Sequence, residues 1–334
     1  MESAVEPLAD RPDFVGIGAQ KCGTTWLYER LRQHPEIWMP RWKELHFFDW
    51  KIHRSRPLGI HLLRPSAGTR RRQLVSDLIK SWRSEDEIPV RTALRYHLGR
   101  ASLDWYQELF VPGRGKVRGE ITPGYATLTP EEIVRANALL AGAKYIFLLR
   151  SPIERDWSAA VMGLQQQGTA ADSVTLDYLA ESVETQAFVV RSDMEQGLRA
   201  WLDVVGSERM FVGFLEDIHF NPDAFLTSIF DYLGVSALPG ARQEREKVHS
   251  RSGSTIPLPA AQFLAHRHLD QIRRLAETYG GYAQLWLAAA EWILEQRDSS
   301  TDLPYPLWEL PIWETTASNM GIAAGTYLQS RSLG

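Results

Sequence analysis

The 334-residue chain is 44% hydrophobic and carries a net charge of −4, enough apolar material for a full core and too acidic a balance for a general nucleic-acid binder. Its one cysteine, Cys22, excludes an intrachain disulfide, and the acidic start MESAVEPLADRPD lacks the apolar stretch of a secretory signal. The longest late apolar run, residues 282–296, is too short to span a bilayer and contains Glu291, so a soluble cytoplasmic protein with no membrane span is expected.

In chain order, residues 1–12 read as a loose tail. Phe14–Gly18 is a short apolar run ending in glycine. Residues 24–34 follow it with Trp26, Leu27, Tyr28 and Leu31 near a helical period. Residues 50–103 read as an inserted, mostly helical basic segment. Positions 51–100 hold twelve Lys or Arg against four acids, a net of +8. A solvated helix face is the plainer reading of that charge; attraction of an anionic acceptor or donor is the other. Ser81–Pro89, SWRSEDEIP, mixes signs and reads as a loop.

Further strands are expected at 116–121, 144–150 and 209–217. Helices are expected from Pro130, through QGLRAWLDVV and through NPDAFLTSIFDYL. The alternation predicts an α/β fold with a P-loop-like central parallel sheet flanked by helices, and ligands at the carboxyl ends of the strands. Residues 13–298 form one domain in this reading. Residues 299–334, rich in Pro, Trp and Gly, form an extended C-terminal arm packing on the body or on a partner chain, which leaves a homodimer open.

The stretch GAQKCGTTWL carries the first chemistry. Gly18 and Gly23 have the spacing of a triphosphate-binding loop, G-x-x-x-x-G-K-[ST], but the lysine is Lys21, inside the loop. A glycine loop before a helix directs backbone N–H groups and the positive helix end at an anion. Thr24 and Thr25 can add hydroxyls. With no lysine after Gly23, nothing is placed for a γ-phosphate. Glu216 and Asp217 come late for a magnesium-holding acid and have a local alternative, capping the helix that follows. The loop therefore suits a shorter anion without metal. A glycine turn of purely structural purpose is the competing reading.

At these residues the chain resembles sulfotransferases that use 3′-phosphoadenosine 5′-phosphosulfate, in the heparan-sulfate-type and bacterial branch. GAQKCGTTWL resembles their 5′-phosphosulfate loop, KELHFFD (residues 43–49) the segment after the first helix, and YIFLLRSPIERDWSAAVM their 3′-phosphate segment. SLDWYQELF and GEITPGYA also resemble family segments. The matches run through residues 14–50 and 103–260 in family order. The resemblance implies that Gly18, Gln20, Lys21, Cys22, Gly23, Thr24 and Thr25 surround the 5′-phosphosulfate, with Lys21 against the bridging oxygen. It implies that Arg150 and Ser158 bind the 3′-phosphate, and that Arg251 and Gly253 in HSRSGSTIP close over it. Trp26 reads equally as an adenine-stacking ring or a core residue. For Arg150 the alternative is a surface ion pair with Glu154, and for Ser158 a plain helix position.

A group must take the acceptor's proton. Glu44 matches the family's glutamate base; an ion pair with Lys43 or Arg41 is its alternative. His46, two residues on, shares its face if the segment is extended, and orients substrate or Glu44 or is simply a packed histidine. Glu120, Phe48 and Tyr125 are expected at the acceptor, with Glu120 orienting Lys21 or substrate. The heparan-sulfate branch carries a lysine where this chain has Ile121, which points away from a polysaccharide toward a small-molecule or lipid-like acceptor. Trp82, Trp308 and Trp313 either line an apolar pocket for it or anchor the arm. The expected donor product is 3′,5′-adenosine bisphosphate, with no metal and no nucleic-acid partner. A small-molecule kinase and a catalytically silent nucleotide-binding protein are the competing functions.

Overall fold

The computed structural model describes residues 9–49, 68–83, 88–170, 174–237 and 254–320. From the N-terminus, β1 (Phe14–Gly18) leads into α1 (Thr24–Arg32) and a short β2 (Ile37–Trp38). Three helices follow: α2 (Gly68–Trp82), α3 (Val90–Leu98) and α4 (Leu103–Glu108). Then come β3 (Val117–Ile121), α5 (Pro130–Leu139) and β4 (Lys144–Leu149). Four helices come next: α6 (Pro152–Gln166), α7 (Leu176–Glu184), α8 (Gln186–Ser192) and α9 (Met194–Val205). Beyond them β5 (Met210–Phe214) precedes α10 (Leu215–Phe220) and α11 (Pro222–Leu233). The last described elements are β6 (Ser254–Pro257), α12 (Leu258–Tyr279), α13 (Tyr282–Glu295), β7 (Asp302–Tyr305) and α14 (Pro311–Asn319).

The five-stranded sheet has the order β2-β3-β1-β4-β5, and every pairing is parallel. Every residue of β1 and β5, and all but the first of β4, is buried, as a parallel sheet covered on both faces requires. The chain runs from β1 to β3 on one side and returns to β4 on the other. Their carboxyl ends therefore meet at a topological switch point, where such sheets bind ligands. This is the α/β architecture expected from the strand–helix alternation.

Boundaries differ in ways that matter. The strand expected over 209–217 stops at Phe214, and Leu215–Phe220 is helical. Glu216 does not cap α11; its buried carboxyl accepts from Trp286 Nε1 at 2.6 Å. The tail is tied down by residue 10, where Asp10 faces Arg114 at 2.5 Å and Arg118 at 3.1 Å. Ser81 and Trp82 belong to α2 rather than to a loop. The apolar run near 282–296 is α13, whose Leu285, Trp286, Ala289 and Ile293 are buried and which packs on α12. Among the described residues no helix is long and apolar enough to cross a membrane.

The described part of the basic insertion is helical and docks just upstream of Glu44. Buried Asp77 of α2 accepts from Trp42 Nε1 at 2.7 Å and lies 2.9 Å from His97 Nε2 of α3. Trp42 stacks on Tyr96 at 3.9 Å. Arg71, Arg72, Lys80 and Arg83 are exposed, the solvated-face reading of the charge run.

Candidate active site

The loop between β1 and α1 is shaped by two positive-φ residues. Gly23 is the N-cap of α1 at φ 89°, and a Cβ there would stand 2.7 Å from Ile218 Cδ1, so glycine is required on both counts. No side chain caps α1, which leaves its positive end facing the loop. Lys21 is also left-handed, at φ 71°, and its Nζ lies 3.5 Å from Met162 Sδ of α6. Thr24 is buried, Thr25 exposed, and Gln20 half-buried. Gly18 is buried where a Cβ would meet Ala126 Cβ at 2.7 Å, so the close packing there requires glycine. Cys22 points inward, its Sγ 3.6 Å from the Gln20 carbonyl and from Met194 Sδ, and burial pushes its thiol up to about 12. Only its backbone can meet an anion.

Arg150 follows β4 directly and is 7% exposed. Its Nη1 donates to the Lys21 carbonyl at 3.1 Å, joining the end of β4 to the loop. Its Nη2 donates to the Tyr305 hydroxyl at 2.6 Å. Glu154 stands 3.8 Å from Nε, so the expected ion pair exists, but it is buried, not on the surface. Nε itself has no hydrogen-bond partner among the described residues. Ser158 is half-buried on α6, two turns along. Trp26 is half-buried against Phe225 (centroids 6.3 Å apart), with the Arg30 guanidinium over its ring at 5.7 Å. Arg251 and Gly253 lie outside the described residues.

The KELHFFD segment lies across the carboxyl end of β3, the neighbour of β1 in the sheet. Glu44 N donates to the Ile121 carbonyl at 3.0 Å, Leu45 N to Thr122 Oγ1 at 3.0 Å and Phe47 N to the Tyr125 hydroxyl at 2.9 Å. Glu44 and His46 have φ of 62° and 53°. The segment is therefore not extended, yet Glu44 and His46 stay half-exposed while Leu45 and Phe47 are buried. Lys43 Nζ donates to Glu44 Oε1 at 2.7 Å. His46 Nε2 lies 3.5 Å from Glu44 Oε2, and Nδ1 lies 2.7 Å from Asp49 Oδ2. Arg41 turns instead to Asp77 and Ser81. Hydrogen bonding to His46 holds Glu44 down at about 2 against the opposing effect of burial, with Lys43 adding to the same direction. Asp49, then Glu44, raise His46 to about 9. At neutral pH the segment thus presents a carboxylate braced by two cations.

Glu120, Tyr125 and Phe48, the residues expected at the acceptor, lie buried inside the fold. Glu120 receives the hydroxyls of Tyr106, of Thr122 at 2.8 Å and of Tyr125 at 3.3 Å; none of these bonds reaches Lys21. Thr122 and Tyr125 are the same hydroxyls that accept from Leu45 N and Phe47 N. The glutamate therefore sits one bond beneath the segment bearing Glu44, and burial pushes it up to about 7. Phe48 packs edge-on against Tyr106 and Tyr125. Trp313 is buried and Trp308 stacks on His219 at 4.7 Å, so both anchor the arm, whereas Trp82 is exposed. Asp49 was available to sequence reasoning three residues from His46; Tyr305, 155 positions from Arg150, carried no local signal.

A parallel α/β sheet with an uncapped, glycine-entered helix at its switch point, and a buried arginine just past the next strand bonded to the same loop, defines a P-loop-like fold. A profile of the sulfotransferase family matches residues 12–239, and the chain belongs to that family. It is 26% identical to carbohydrate sulfotransferase 15 of Rattus norvegicus over 280 residues, 73% of this chain and 47% of that protein. It is 25% identical to bifunctional heparan sulfate N-deacetylase/N-sulfotransferase 2 of Homo sapiens over 247 residues, 69% of this chain and 23% of that protein. The chain thus spans about half or less of the length of these curated relatives. A solved sulfotransferase from Alicyclobacillus acidocaldarius shares the fold, with a TM-score of 0.54 at 23% identity, covering 80% of this chain and 95% of that one.

Proposed function

We propose that the protein moves a sulfuryl group from 3′-phosphoadenosine 5′-phosphosulfate to a hydroxyl, or less favourably an amine, of a small or lipid-like acceptor. The observation that carries this reading is the bond from Arg150 Nη1 to the Lys21 carbonyl, which ties two candidate anion sites into one unit. The residues present suit such a donor: a helix end with no side-chain cap, and a buried guanidinium whose Nε is unpartnered among the described residues. The donor supplies an activated sulfuryl group on a phosphate.

The chain's own residues then divide the work. Backbone groups of Gly23, Thr24 and Thr25 hold the 5′-phosphate, and Arg150 with Ser158 holds the 3′-phosphate. Lys21 neutralises charge growing on the departing phosphate oxygen. Glu44 accepts the acceptor's proton as the new S–O bond forms. Its depressed pKa keeps it ionised and makes it a weak base, suited to a proton made acidic late in transfer. His46 and Asp49 fix its orientation.

The relatives' names mention carbohydrate and heparan sulfate. A small acceptor is proposed here because Ile121, buried and packed where a Gly16 Cβ would lie at 2.7 Å, replaces the lysine of the heparan-sulfate branch. A kinase reading lacks a lysine after Gly23. Mass spectrometry on a panel of hydroxylated metabolites and lipids incubated with donor tests the proposal. One SO₃ should be added by the wild type and not by Lys21→Ala or Glu44→Gln. Undiminished transfer by both variants would refute the assigned roles.

A further inference from the structure

The C-terminal arm reaches the turn between β4 and α6. Arg150 Nη2 donates to the Tyr305 hydroxyl at 2.6 Å, and the guanidinium lies 5.6 Å from the centroid of the same ring. Two residues on, Leu307 N donates to Glu154 Oε1 at 2.9 Å. The arm thus grips both charged residues of that turn. It is held in place independently of them: β7 pairs antiparallel with β6, with Tyr305 opposite Ser254, and Leu303, Leu307 and Leu310 are buried.

The hydrogen bonding at this point is incomplete. Tyr305 accepts from Arg150, and its own proton has no acceptor among the described residues. The buried Arg150 Nε has no hydrogen-bond partner among the described residues, since Glu154 at 3.8 Å is too far to be one. Glu154 pairs with the guanidinium only at 3.8 Å, and burial pushes its carboxyl above its ordinary value. An O–H and an N–H donor therefore stand together at a guanidinium whose carboxylate partner is too far away to hydrogen-bond Nε. A phosphate, with several acceptor oxygens and two charges, satisfies both donors.

We infer that Tyr305 is a donor-recognition residue, sharing the adenosine 3′-phosphate with Arg150 and so helping to distinguish 3′-phosphorylated from 3′-hydroxyl nucleotides. This rests on the sulfuryl-transfer reading. Tyr305 lies outside the residues matched by the family profile, which end at 239.

Calorimetry with 3′,5′-adenosine bisphosphate and with adenosine 5′-phosphate tests it. Tyr305→Phe keeps the ring and removes the hydroxyl. It should weaken bisphosphate binding about tenfold or more, the scale of one hydrogen bond to a charged group. Binding of the 5′-phosphate should not change, which also shows that the variant is folded. Unchanged or tighter bisphosphate binding, or equal losses for both ligands, would overturn the assignment. In the wild-type protein, bisphosphate and not the 5′-phosphate should protect Tyr305 from nitration by tetranitromethane; equal reactivity under both ligands would count against it. A wild type with no preference for the bisphosphate removes the sulfuryl-transfer reading too. A preference undiminished by Tyr305→Phe removes only this inference.

Discussion

Left-handed backbone costs about 1–2 kcal/mol for a residue with a Cβ. Among the described residues only Lys21, Glu44 and His46 adopt it without being glycine. The neighbours over-determine each position: Arg150 Nη1 on the Lys21 carbonyl, and the Ile121 carbonyl with the Thr122 and Tyr125 hydroxyls around the other two. Strain of this kind gathers where side chains must be aimed. Removing Lys21 by alanine should lower kcat about 10²- to 10³-fold, with a smaller change in donor affinity, as for loss of a charge that acts on the transition state. Initial rates against donor concentration check it.

The Glu44–His46–Asp49 chain makes a separate prediction. His46 is raised from 6.5 to about 9, so the stability that it contributes is complete below pH 6.5 and is lost as pH rises through 9. Glu44 is lowered from 4.5 to about 2, so its contribution is present above 4.5 and is lost toward 2. The gap in thermal midpoint between wild type and His46→Ala should therefore be widest near pH 5–6 and shrink on going to pH 9.5. A gap that widened with pH would contradict these interactions. The loop around Lys21 and the strand end at Arg150 were legible in the sequence because each lies in a short segment whose neighbours define its setting. Tyr305 was not, since its setting comes from a strand pairing far along the chain.

At the scale of elements, β3 and the turn after it form the bench on which the Glu44 segment rests. Glu120 collects three hydroxyls there, two of which hold backbone N–H groups of that segment. Glu120→Ala should destabilise the protein by about 3 kcal/mol, since buried hydroxyls lose their acceptor, with Glu120→Gln in between; urea unfolding measures both. Gly124 closes the bench from the side. A Cβ there would come within 2.6 Å of Asp49 Oδ2 and 3.3 Å of His46 Cε1. Gly124→Ala should separate His46 from Asp49, lower kcat and leave the circular dichroism spectrum unchanged. β1, β4 and β5 announce themselves as apolar runs. β2 is two residues long, and β6 and β7 are short strands that pair only with each other, so no local pattern marks them. The helix α10 was hidden because its acidic first turn continues a strand-like run. Glu120 was read as a site residue from the resemblance of GEITPGYA to a family segment, and the three hydroxyls that surround it come from positions no local pattern joins.

For the molecule as a whole, composition and alternation were enough for an α/β fold, and the order of motifs for the family. They were silent on how the last segment returns to the switch point. The arm is a structural part of the body: Trp313 is buried and α14 packs on α13. Trp313→Ala should cost about 3–5 kcal/mol, as for a large core residue, and a thermal melt would show it. The most direct test of the central claim, that one site holds both phosphates of an adenosine donor, is calorimetry of the wild-type protein in EDTA with 3′,5′-adenosine bisphosphate, set against ATP with magnesium. The account predicts saturable one-site binding of the bisphosphate without metal and little or none of ATP–magnesium. Binding of ATP–magnesium alone, or of neither ligand, would contradict it.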